Sequence, residues 1–69
     1  MHVVSLKMSR MSQIKTFRRK AKLTQAQLAS RLGVSLVTVK KWELGTRTPR
    51  VKRFQAMARI FKCKVSELL

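Results

Sequence analysis

The stretch from Gln25 to Leu44, QAQLASRLGVSLVTVKKWEL, reads as two short helices pinned at a tight bend. Leu28, Ala29 and Leu32 recur at helical spacing and form one apolar stripe, while Val39 and Trp42 form a second. Between them stands Gly33, where a chain leaving one helix needs a positive φ to turn into the next. Thr24 opens the first helix, and Gln27 three residues later completes a capping box, the Thr hydroxyl and the Gln amide each satisfying a backbone donor. Ser35 caps the second helix, which the spacing predicts to run to about Leu44 and to stop at Gly45.

Working outward, the same logic covers the rest of the chain. Ser12 caps a preceding helix predicted to run to about Ala21, with Ile14 and Phe17 on its inner face and Arg18, Arg19 and Lys20 outside. After Gly45 the segment TRTPR is a loop, because Pro49 has no amide donor and pushes Thr48 out of the helical region. Val51, Phe54, Met57, Ala58 and Phe61 then mark the inner face of an amphipathic helix of about three turns. Val65 to Leu69 forms a last short helix whose leucines close the core. Residues 1–11 show no clear period and hold Met1, Met8 and Met11, each a candidate translation start, so they read as a flexible N-terminal arm ahead of a domain spanning 12–69. The fold class is all-α, a compact bundle of four to five helices.

The helix from Ser35 has two unlike faces. At about 100° per residue, Val39 and Trp42 define its buried side. Val37, Lys40, Lys41 and Leu44 point the other way, with Leu36 and Glu43 near one boundary and Thr38 near the other. Single exposed apolar residues are ordinary on a solvated helix. Beside Lys40 and Lys41, however, they make a surface suited to base edges, since apolar groups pack on thymine methyls while an ammonium reaches guanine O6 and N7. Two helices joined at such a bend form a helix-turn-helix, whose second helix stands proud of the body and enters a DNA major groove. Trp42 is not a platform for stacking unpaired bases, because it shares the inner face with Val39. Phe17, Phe54 and Phe61 likewise lie on the apolar stripes of their own helices.

Composition points the same way. Seventeen Lys and Arg face two acids, Glu43 and Glu67, a formal net charge of +15 on 69 residues. Solubility alone needs a net charge of about 2 to 8 on a small domain. A surface so one-sided is drawn to a polyanion, nucleic acid ahead of anionic lipid. Glu43, at the end of the outward helix, would repel phosphate if left bare. Its expected partner is Arg18, which it would tie to the helix through short charge-assisted bonds.

Other classes fare poorly. The single Cys63, expected near the end of a core helix, cannot form an internal disulfide, and no Cys and His cluster is present to hold zinc. No apolar run approaches the roughly 18 residues of a membrane span, and MHVVSLKMSR has too short an apolar stretch for a secretory signal. The expected location is therefore cytoplasmic, in association with the nucleoid. One His in the arm, one Cys and two isolated acids supply no acid and base pair and no nucleophile with its base, so an enzyme is not expected, nor a cofactor, nor a metal.

The segment LTQAQLASRLGVSLVTVKKWELGTRTP resembles the Cro and repressor (Xre-type) helix-turn-helix family of phage and bacterial DNA-binding regulators. The matching pattern is Thr24-Gln25, Leu28-Ala29, Leu32-Gly33-Val34, Val39, Trp42-Glu43 and Gly45, within a resemblance covering about Ser12 to Leu69. It implies a lambda-repressor-like DNA-binding domain bound as a two-fold homodimer to a near-palindromic double-stranded operator. By resemblance Ser35, Leu36, Val37 and Lys41 face base edges. Thr24 and Gln25 meet backbone phosphate, with Gln25 sometimes reaching a base, and Arg50 lies against the backbone or minor groove. Arg18, Thr38, Lys40 and Arg47 complete the phosphate and minor-groove set. Relatives also pair the positions of Arg18 and Glu43.

Three positions depart from the family pattern. Leu36 and Val37 stand where phage relatives often carry amides, which removes bidentate adenine readout. Lys62 ends the fourth helix where many relatives have Gly, so a left-handed lysine is expected there. Lys64 replaces a Ser or Asp cap, so the final helix is expected to fray. The chain also ends with the DNA-binding unit, which resembles a Cro-like minimal repressor acting by operator occupancy. The alternative is an antitoxin-like module that binds DNA and a toxin partner. A third reading, a non-specific cationic membrane or nucleoid binder, needs charge without a formed recognition helix.

Overall fold

The computed structural model describes residues 13–69, which form five helices. Helix α1 covers residues 13–20 of this range. It is followed by α2 (Gln25–Leu32), α3 (Leu36–Leu44), α4 (Val51–Phe61) and α5 (Val65–Leu68). The arm at 1–11 and the Ser12 cap lie outside the described residues. Helix α2 packs against α3, and α4 packs against both α2 and α5.

The helix-turn-helix is fixed by local chemistry at both ends of both helices. Thr24 and Gln27 form the full capping box: the Gln27 amide donates to Thr24 Oγ1 at 3.0 Å and the Thr24 amide to Gln27 Oε1 at 2.8 Å. Ser35 Oγ accepts from the Thr38 amide at 3.2 Å. Gly33 and Gly45 close the two helices at φ +69° and +81°.

The first four helices share one terminating pattern. In each, a left-handed residue donates three residues back and its successor donates five back. At α2 these are Gly33 N to Ser30 O at 3.2 Å and Val34 N to Ala29 O at 3.0 Å. Glycine supplies the left-handed residue in α2 and α3, but α1 and α4 use Lys22 (φ 59°) and Lys62 (φ 56°). A side chain in this conformation costs about 1 kcal/mol. Lys62 was expected there. Lys22 was not, because Ala21-Lys22-Leu23 has no residue that favours a left-handed turn.

The core gathers Ile14 from α1, Leu28, Ala29 and Leu32 from α2, Val39 and Trp42 from α3, Phe54, Met57 and Ala58 from α4, and Leu68 from α5. Leu28, Val39, Met57 and Leu68 are sealed from solvent, and Phe17 and Phe61 lie half-buried with stacked rings 5.9 Å apart. Two expectations are corrected. Val51 is 68% exposed, because the first residue of α4 projects past the body and the inner stripe begins at Phe54. Leu69 is exposed while Leu68 is buried, since α5 turns only one of its two adjacent leucines inward. Cys63 lies where it was expected, just past the end of α4, half-buried against the core. Lys64 makes no side-chain cap bond, yet Leu68 anchors the short α5.

Candidate nucleic-acid interface

Helix α3 is held from behind and open in front. Val39 and Trp42 are buried, whereas Val37 (56%) and Leu44 (64%) are exposed with Lys40 and Lys41 beside them. Leu36 sits at the margin, exposed at 38%. Val37 and Lys41 are one turn apart on one face, and the outward row from Val37 to Leu44 spans about 10 Å at 1.5 Å per residue. A helix is about 10 to 12 Å across with its side chains, which fits a major groove about 12 Å wide. At its leading end Ser35 Oγ also lies 2.9 Å from Thr38 Oγ1, so the two hydroxyls act as a linked pair in which one proton is shared and the other stays available.

The far end of α3 is clamped to α1 and α2. Arg18 Nε donates to Glu43 Oε2 at 2.6 Å and Nη2 to Oε1 at 3.3 Å, with the two side chains only 11% and 5% exposed. Arg18 Nη1 also donates to the Leu23 carbonyl at 2.9 Å. This is the pair expected from charge, but its burial alters the part assigned to Arg18. With Nε and both Nη atoms engaged on Glu43 and Leu23, Arg18 orients α3 from within the protein. Gln25 joins the same carboxylate, its Nε2 donating to Glu43 Oε1 at 3.0 Å. That bond fixes which way the amide points and leaves the Gln25 carbonyl free for a donor. Sequence reasoning missed this contact. Glu43 needed more donors than one Arg provides, and the amide at the start of α2 was the nearest polar group.

Around this helix lie the other positions expected to meet backbone. Thr24 is exposed, and since its oxygen accepts the Gln27 amide, its hydroxyl hydrogen remains available. Thr38 and Trp42 of α3 face Arg47 and Arg50 across a shallow cleft of about 770 Å³ that also takes in Pro49 and Lys52. Arg47 and Arg50 are exposed, while Pro49 is buried and anchors the loop. Arg50 occupies the cap position of α4 with no side-chain bond of its own. Cations at a helix N-terminus oppose the macrodipole, so this end favours an incoming anion.

The chain matches the model of a family described as helix-turn-helix over residues 14–68, nearly all of the described range. It belongs to the Xre-type helix-turn-helix family. It is also 37% identical over 57 residues to a protein of Archaeoglobus fulgidus named an uncharacterized HTH-type transcriptional regulator, covering 83% of this chain and 80% of that one. No solved structure matches.

Two further groups in this helix-turn-helix protein are structural. Arg53 Nη1 donates to the Leu32 carbonyl at 2.8 Å, satisfying the end of α2 from α4. Its sequence position gave no sign of this, since the partner is 21 residues away. Burial, and then the Glu67 carboxylate, push the Cys63 thiol above its ordinary range, away from the reactive thiolate. Among the described residues no His, Cys, Asp and Glu group is placed to hold a metal, and no helix is long and apolar enough to cross a membrane.

Proposed function

We propose that this protein regulates transcription by binding duplex DNA selectively with α3 in the major groove, repressing by occupying its operator as a homodimer. The observation that carries this reading is the split character of α3. Its rear is locked by Val39, Trp42 and the Glu43 clamp, and its front offers Val37, Lys41 and Leu44 to solvent. A rigid helix with an apolar and cationic face suits base edges. The family membership and the name of the archaeal relative support the same function.

In this reading Lys41 donates to guanine, and Val37 and Leu36 contact thymine methyls. Ser35 supplies a hydroxyl at the leading end. Thr24, Gln25, Thr38, Lys40, Arg47 and Arg50 hold the phosphates, giving affinity that falls steeply with salt. Arg18 contributes by fixing Glu43, and through it Gln25 and α3.

Selection of bound sequences from random duplexes tests the proposal, since two half-sites about one helical turn apart report the dimer as well as the base preference. On the selected duplex Lys41→Ala should cost about 1 to 3 kcal/mol and relax preference at one base pair. Arg50→Ala should weaken all duplexes alike and make the salt slope shallower by about one unit. Equal loss on selected and random DNA for Lys41→Ala would remove the base-reading role, and failure to enrich any sequence would remove the function.

A further inference from the structure

A second groove, of about 400 Å³, lies between the C-terminal ends of α1 and α4. Its floor is apolar: the stacked rings of Phe17 and Phe61, flanked by Leu23 and Ile60. Its rim is cationic, formed by Lys20, Arg31 and Lys62, with no carboxylate in the lining. Lys20 Nζ stands 5.4 Å from the centre of the Phe17 ring. Among the described residues the one ion pair is Arg18 with Glu43, so the rim has no counter-charge from its own chain.

Two features set this groove apart from a generally basic surface. Both non-glycine residues of positive φ are lysines beside it: Lys62 lines it, and Lys22 falls between the lining residues Ala21 and Leu23. Glycine at either position would relieve backbone strain, so these two lysines stand against local backbone preference. Strain kept in this way points to a role for the side chain. The groove also opens away from the reading helix. None of its lining residues belongs to α3, and Lys20 is rotated by about 200° around α1 from Arg18, which reaches toward α3.

We infer that this groove docks an acidic, amphipathic helical segment of a protein partner while α3 is on DNA. Bulky apolar side chains one turn apart enter over Phe17, Phe61 and Ile60, and flanking carboxylates meet Lys20, Arg31 and Lys62. A second copy of this chain offers no acidic helix for the rim, since its two acids are Glu43, held by Arg18, and Glu67. Duplex DNA has phosphates for the rim but only small thymine methyls, set inside the major groove, for an aromatic floor. Simultaneous binding of partner and DNA rests on the proposed function; the docking itself does not.

The test is fluorescence anisotropy of a labelled helical peptide with Leu and Phe at i and i+4 and Glu and Asp elsewhere, added to the full chain free and on its selected duplex. Binding should occur in both states, and a peptide of the same composition with scattered apolar residues should bind about tenfold more weakly. Lys62→Gly should weaken the peptide about threefold, raise the melting temperature, and leave duplex affinity within about twofold. The thermal gain shows that the variant is folded. Equal binding of patterned and scattered peptides, or unchanged peptide affinity in Lys62→Gly, would overturn the assignment. So would displacement of the peptide by a single-stranded oligonucleotide with the same sensitivity to Lys62→Gly, which would give the groove to nucleic acid. Duplex affinity measured in the same samples separates failure of this site from failure of DNA binding.

Discussion

The pair α2–α3 and the pair α4–α5 are built to different standards. In the first, both helices begin with a hydroxyl that accepts a backbone amide and end at a glycine. In the second, both begin with a cation that makes no cap bond, Arg50 and Lys64, and α4 ends at a left-handed lysine. The helix-turn-helix unit is determined residue by residue by its own caps. The supporting unit carries charge where caps would be more stable, and relies on Phe54, Met57 and Leu68 in the shared core to stay folded. Stability and charge compete for the same helix ends, and the two regions resolve that competition in opposite directions.

The largest expected effect tests the clamp joining α3 to the rest. Glu43→Ala leaves the Arg18 guanidinium, 11% exposed, without its carboxylate and frees the Gln25 amide, so we expect a loss of about 3 kcal/mol in chemical denaturation. A loss under about 1 kcal/mol would show that the pair behaves as an ordinary surface ion pair. A smaller effect addresses the caps. Ser35→Ala should destabilise by about 1 kcal/mol and weaken duplex binding beyond that, since the Ser35 and Thr38 hydroxyls lie together at the leading end of α3. Gly33→Ala should cost a similar amount through backbone strain alone, because an added Cβ would meet no atom within 4 Å. A larger loss, read from the same denaturation curves, would mean that the bend itself moves.

The smallest effect has the opposite sign. Lys64→Asp places an acceptor and a negative charge at the start of α5 and should stabilise by about 0.5 to 1 kcal/mol with no change in base preference. Were it to destabilise, Lys64 would have a contact of its own and the contrast between the two helix pairs would weaken.

Much of the candidate interface was legible because it is encoded over a few residues. The capping box at Thr24, the Ser35 cap, the turns at Gly33 and Gly45 and the outward face of α3 each follow from short-range stereochemistry and helical period. The Arg18 and Glu43 pair was reachable from scarcity, since one of only two acids, set among so many cations, was expected to be paired. Val51 shows the limit of the method: its spacing fits the inner stripe of α4, but periodicity does not say where the body of the protein ends.

Sequence alone determined the helix-turn-helix, its two glycine turns, the anchoring of α3 by Val39 and Trp42, and the strong positive charge. Those rest on φ preference, local hydrogen bonding and periodicity, which act over one or two turns. Tertiary structure decided that Arg18 faces inward, that Gln25 shares Glu43, that Arg53 closes α2, and that Lys20, Arg31 and Lys62 surround the stacked rings of Phe17 and Phe61. Each of these joins residues from different helices, and such meetings are set by how whole helices pack, a property no local stretch of chain contains.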